Sequence, residues 1–411
     1  MKTQMLLLLC LLLLPLRAMP QEPKASSTTT AEWPRGTATP AEDCGACHQA
    51  IFREFQYGFG ADLKFKGIVY QSPKERLLTL PGNVASGATA HSVGGVDPFP
   101  IHARAVEEEG RSCNVCHYPQ PFAIPPLDTA EIVKPVSRAK GEEAGGLTCA
   151  SCHLTPEGTI RGPYAVDAPH ATVADPAMHT SAICAYCHAL GTRVVGKQTQ
   201  TFLEWRDDFN KPGLGSQQCQ DCHMPRTQRK TAEDFDVPVR AVARHLWTGG
   251  HSSQRLESAL GFVVVQPAEG RAALELHVIN LGAGHSVPTG SNRRGLYLRV
   301  KITDAAGKRQ AKNEWLFAPW YGNRSDDRKF LKDDETRPDR VAAMQADAQG
   351  PHESSIRAGE ERILQWAPRL KPGRYVVDAT LVYDLNRYND PAFIEDQTIV
   401  ARRSLKMVVG R

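Results

Sequence analysis

Ten of the eleven cysteines fall into five units of one form, in which two residues separate a pair of cysteines and a histidine follows the second. The units are Cys44, Cys47 and His48; Cys113, Cys116 and His117; Cys149, Cys152 and His153; Cys184, Cys187 and His188; and Cys219, Cys222 and His223. On a helical turn, positions i and i+3 project from one side and i+4 lies beside them. Two thiols so placed can form thioethers with both vinyl groups on one porphyrin edge, while the histidine reaches under the ring to the iron. A disulfide framework would leave five histidines in one register unexplained, and zinc ribbons or thioredoxin-like pairs do not require His directly after the second Cys. The expected cofactor is therefore haem c, five copies, covalently attached. The eleventh cysteine, Cys10, sits among leucines and belongs to a different feature.

The first cysteines lie at 44, 113, 149, 184 and 219, so the last four units recur every 35 or 36 residues. From Trp33 to His251 the chain offers roughly 44 residues per haem, too few for each segment to build its own apolar core. The porphyrins are expected to serve as the core of a mostly α and irregular domain. Ala41, Glu42 and Asp43 open a helical stretch through Phe55, Pro119 to Pro126 must run extended, and Thr201 to Trp205 reads as a helix ended before Pro212 and Gly213. After about Leu256 the pattern changes to strand-like runs: Phe262–Val265, Ala273–Ile279, Leu296–Ile302, Ile363–Trp366, Arg374–Tyr383 and Ile399–Val409. An all-β, sandwich-like C-terminal domain is expected there. The boundaries read as a signal peptide over 1–18, a flexible linker over 19–40, a pentahaem domain over 41–258 and the β domain over 259–411, with a polar surface insertion at 322–355.

Nine histidines lie outside the units, and five irons could each take one on the open face. His245 and His251 flank Gly249 and Gly250, which let backbone approach a flat ring, and their separation suits two different haems. His179 stands five residues before Cys184. His285 follows Gly282 and Gly284 on a loop whose exit Pro288 fixes, at the end of the β domain. His91, His102 and His170 complete the set of candidate distal ligands. His277 alternates with Leu276 and Val278, so it should share the outer face of its strand with Glu275, and His352 lies in the polar insertion; both read as surface residues. Methionine is the competing ligand type: Met224 directly follows His223 and cannot easily reach the opposite face of the same haem, which leaves Met178, beside His179, as the substitute. Bis-histidine haems are the expectation.

The only long apolar run, Met5 to Leu16, is shorter than the roughly 20 residues a membrane-spanning helix needs. With Lys2 before it and Ala18 after it, it reads as a secretory signal, implying a periplasmic or extracellular protein with no membrane span. The formal net charge of +4 is spread along the chain without a basic run, which excludes nucleic acid as a partner.

These units and their surroundings resemble the multihaem c-type cytochrome family that includes the tetrahaem carrier accepting electrons from hydroxylamine oxidoreductase. The likeness rests on Cys44 through Glu54, on Glu204 and Trp205 ahead of Cys219 to Pro225, on His245 to His251, and on Asn280 to Gly290. It implies closely stacked haem pairs, His245, His251 and His285 as distal ligands, and electron transfer as the activity. Relatives often place a His shortly after the first motif helix, where this chain has Tyr57, Gly58, Phe59 and Gly60, so the first-motif haem, or a neighbour, is left to take its ligand from His91 or His102 or to have an open position. The expected function is electron transfer between redox partner proteins through bis-histidine haems, with no catalytic residues. Two rivals are a multihaem reductase of a small nitrogen or sulfur oxyanion at one open haem, and a self-associating subunit of an extracellular cytochrome filament. Every unit here ends in His rather than the Lys of pentahaem nitrite reductases, which weighs against the first.

Overall fold

The computed structural model describes residues 39, 41–57, 119–128, 147–189, 201–250, 252–290, 294–319, 354–385 and 397–410. Short helices dominate the first part of the chain: α1 Ala41–Gly45, α2 Gln49–Tyr57, α3 Cys149–His153, α4 Ala182–His188, α5 Thr201–Glu204 and α6 Cys219–His223. Each of α3, α4 and α6 is little more than its own motif. The residue before the second cysteine caps two of them, because the Ser151 hydroxyl accepts from the Thr148 N–H at 3.0 Å and the Asp221 carboxylate from the Gln218 N–H at 2.8 Å. The helix α5 continues as a π-helix over Trp205–Asn210 and ends in the turn at Lys211, Pro212 and Gly213, where the sequence signals placed its end.

Two small ladders interrupt the helices and were not foreseen from sequence: parallel β1 Ile160–Gly162 with β2 Thr172–Ala174, and antiparallel β3 Arg226–Arg229 with β4 Arg240–Ala243. They are three- and four-residue pieces, too short for a periodic signal. Pro119 to Pro126 runs without helix, as expected.

The helix α7, Ser253–Ala259, is capped by the Ser252 hydroxyl and leads into β5 Leu260–Val265, β6 Leu274–Asn280, β7 Gly295–Asp304, β8 Arg309–Phe317, β9 Glu361–Trp366, β10 Gly373–Asp384 and β11 Gln397–Val409. They form two antiparallel sheets, in the orders β11-β10-β7-β8 and β5-β6-β9. Six of these strands match the expected runs. β8 escaped detection because Arg309 to Glu314 is mostly polar, in keeping with its place at a sheet edge. Leu274, Leu276 and Val278 of β6, Leu296, Leu298, Val300 and Ile302 of β7, and Val377, Ala379 and Leu381 of β10 point into a single apolar core that both sheets share. Leu256 and Ala259 of α7 belong to the same core, so packing with the sheets begins before residue 259. The expected insertion has a closed neck, since Ser354 N–H and its hydroxyl both bond Ala318, and Ser355 is buried rather than exposed. Thr39, at the end of the expected linker, is also buried. No helix among the described residues is long and apolar enough to cross a membrane.

Candidate functional site: paired histidines on the motif helices

Three motif histidines face a histidine from elsewhere in the chain. Ring centroids are 6.5 Å apart for His48 and His170, 6.2 Å for His153 and His245, and 6.1 Å for His223 and His285. Two imidazoles on opposite sides of one metal, with metal–nitrogen bonds of roughly 2 Å and a ring radius of roughly 1.2 Å on each side, have centroids roughly 6.4 Å apart. The rings are too far apart to bond each other, and the gap is wide enough for a metal ion between them.

The protonation pattern fits as well. Nδ1 of His48 bonds the Thr231 carbonyl at 2.8 Å, that of His153 the Arg161 carbonyl at 2.9 Å, that of His245 the Ala243 carbonyl at 3.1 Å and that of His285 the Ser286 carbonyl at 2.9 Å. Nδ1 of His223 bonds the Thr248 carbonyl. A carbonyl only accepts, so each Nδ1 carries the proton and each Nε2 keeps its lone pair. Burial pushes His188, His223 and His245 down to about 4, with neighbouring histidines adding to it, and lowers His153, His170 and His285 too. These rings are neutral, as a metal ligand must be.

His179 differs. Its Nδ1 accepts from Arg226 Nη2 at 2.8 Å, which puts the proton on Nε2, and its ring meets Tyr164 edge-on at 5.3 Å. The reading of His277 as a surface residue agrees with its place on β6: Nδ1 bonds Glu361 at 2.7 Å and Nε2 lies 3.8 Å from Glu275. Cys113, Cys116, His117, His91, His102, His251 and His352 lie outside the described residues.

Polar ties bring the motif helices together. The Ser181 N–H donates to the Gln218 side chain at 2.8 Å, the Cys219 N–H to the Ser181 hydroxyl at 2.9 Å, and the Gln220 amide to the Thr180 carbonyl at 2.7 Å. The starts of α4 and α6 are thereby fixed side by side, and the Cys184 and Cys219 thiols come into hydrogen-bond contact. Cys44 and Cys149 make the same contact between the first and third motifs. That bond, with burial, pushes the Cys149 and Cys184 thiols far up. Cys152 is raised to about 11, by burial first and then by the field of Cys187 in the fourth motif. Among the described motifs, the first thus lies beside the third and the fourth beside the fifth.

Glu54 anchors the first motif helix pair, and sequence reasoning gave it no role. Both its oxygens take bonds from Arg229, at 2.8 and 2.7 Å, while Arg244 Nε and the His245 N–H add 2.8 and 3.0 Å. Burial pushes this carboxyl up, but the four bonds outweigh it and hold it below the usual range. The chain then reverses at Trp247, a non-glycine residue at φ 53°, and Thr248 returns to bond the fifth motif. One short loop therefore sets His245 against the third motif and supports His223 of the fifth.

His285 arrives from the β region. Asn280 Nδ2 donates to the His285 carbonyl at 2.8 Å, and buried Glu204 accepts from Thr289 at 2.7 Å and from the Ser286 N–H at 3.2 Å. The flanking glycines are required by close approach: a Cβ on Gly282 would overlap the Ser258 carbonyl, and one on Gly284 would stand 3.0 Å from Phe209 and 3.1 Å from Trp205.

Among the described residues no three His, Cys, Asp or Glu side chains converge on one metal position. No family model and no curated protein matches the chain. Its structure is similar to that of a penta-heme cytochrome c552 from Thermochromatium tepidum, at 18% identity over 90% of this chain and 99% of that chain, with a TM-score of 0.51. The two share a fold. A likeness of the C-terminal domain of wzt to 38% of this chain and 75% of that one, at 12% identity and a TM-score of 0.21, carries no argument.

Proposed function

We propose that this chain is an exported pentahaem c-type cytochrome that passes electrons between redox partner proteins. The observation that carries this reading is the set of three histidine pairs spaced 6.1 to 6.5 Å apart. The fold shared with a penta-heme cytochrome supports it. Haem, when bound, supplies a one-electron iron couple whose potential the axial ligands and the surroundings set.

The residues have distinct parts in this reading. The ten motif cysteines attach the five groups, with His48, His117, His153, His188 and His223 as proximal ligands. His170, His245 and His285 are the distal ligands of the first, third and fifth. Backbone carbonyls on Nδ1 orient five of these six paired rings. The contacts of the first motif with the third and of the fourth with the fifth support transfer between neighbouring sites.

Intact mass of the exported protein is expected to show five covalent haems and no titratable thiol. The ferric protein is expected to give mainly low-spin electron paramagnetic resonance signals, and His285→Ala to convert one of them to high-spin. Free thiols or bound zinc in the mature protein would overturn the reading.

A further inference from the structure

A buried charge sits at the seam between the third and fourth motifs. The Arg161 carbonyl accepts from His153 Nδ1, and its side chain turns back beneath the same motif, where Nε donates to the Cys152 carbonyl at 2.9 Å. The guanidinium lies 4.9 Å over the Phe122 ring, and Phe122 stacks on Tyr186 of the fourth motif at 3.8 Å and 12°. This side chain is 1% exposed, and among the described residues Nη2 has no hydrogen-bond partner. Asp175, the nearest carboxylate among the described residues, is 3.9 Å from Nη1 and 28% exposed, and Glu157 contributes only through its field.

A guanidinium does not lose its proton in a protein, and one solvent-screened carboxylate at that distance neutralises it only in part. A fixed positive charge therefore stands in a low-dielectric region beside Cys152. We propose that Arg161 sets a redox potential: its charge favours the reduced, less positive state of the group attached at Cys149 and Cys152, making the third site easier to reduce. The proposal rests on the haem reading above. Arg161 is a positioning residue in the electrostatic sense, since it acts through the motif without ligating anything.

The test is a potentiometric titration of the mature holoprotein, followed by absorption and electron paramagnetic resonance, with intact mass recorded for every variant. In Arg161→Gln one midpoint is expected to fall by about a tenfold change in reduced-to-oxidised ratio at fixed ambient potential, which is about 59 mV for one electron. Arg161→Lys keeps the charge and should stay within about threefold of native. Asp175→Asn removes the partial counter-charge, retains a side-chain oxygen for the Ala177 N–H, and should move the same midpoint upward. Unchanged midpoints in Arg161→Gln with all haems present, or an equal fall in Arg161→Lys, overturn the proposal. Should Arg161→Gln fail to mature, Asp175→Asn decides, and a midpoint that stays or falls there overturns it. Absence of covalent haem from the native protein sinks the haem reading together with this one, whereas the preceding outcomes sink this one alone.

Discussion

The sheets and the motif-bearing segment are held together by different means. In the sheets Phe262, Leu276, Leu298, Ile302, Val377, Leu381 and Met407 are each at most 1% exposed and pack into one continuous core. The apolar cluster among the described motif-bearing residues is Ala185, Ala189, Phe202 and Trp205, with Leu127, Leu203 and Phe209 beside it. Around it stand part-buried rings and polar ties: histidines, Glu54 with two arginines, and Ser181 bonded across to Gln218. On the haem reading proposed above, an attached porphyrin would add apolar surface that helps offset the conformational entropy of these short helices and loops. The β region is thus held by one shared apolar core, and the described part of the motif-bearing segment by a smaller apolar cluster with polar ties around it.

The strongest way to break that comparison is to withhold the group. Without cytochrome maturation, or with Cys149→Ser and Cys152→Ser, residues 147–250 are expected to lose most hydrogen-exchange protection while β5 to β11 keep theirs. Equal protection in both regions would show that the motif-bearing segment has a sufficient core of its own.

Leu381→Ala probes the other side. Leu381 pairs with Leu298 across β10 and β7 and is fully buried, so its truncation should cost about 2–5 kcal/mol in denaturant unfolding of the β region. The low-spin spectrum should be unaffected while the protein stays folded.

Glu54→Gln tests the polar ties. It leaves Arg229 and Arg244 facing a neutral amide, at a cost of about 2 kcal/mol. Because the folded carboxyl is held below its usual value, its contribution is complete above about pH 4.3 and is lost as pH falls through the lowered folded value. The variant should lose that acid dependence, seen as a flatter stability curve below pH 5 or so.

The smallest effect is expected at the join. Gly284→Ala pushes on Phe209 and Trp205, which should cost about 1 kcal/mol and weaken the coupling between the two regions. Differential scanning calorimetry should then resolve two transitions further apart than in the native protein.

Sequence patterning revealed six strands of the sheets because alternation of period two is visible within a few residues. It passed over β8, whose polar run does not alternate, and over the ladders β1–β2 and β3–β4, which owe their existence to neighbours rather than to composition. Glu54 was equally invisible, since its partners lie 175 and 190 residues away. The loop around His285 was readable from two glycines and a proline. Which motif it serves was not.

The same division holds for the site. On the haem reading, attachment and proximal ligation are local: two cysteines and a histidine at i, i+3 and i+4 are aligned by a single helical turn, so five attachment positions are readable from spacing alone. The facing histidines belong to segments brought in by β2, by the loop after β4 and by the loop after β6. Only the tertiary structure decided that His170 faces His48, His245 faces His153 and His285 faces His223. Pairing across such separations depends on which loops the packing of helices and sheets brings together, and helical spacing carries no record of that.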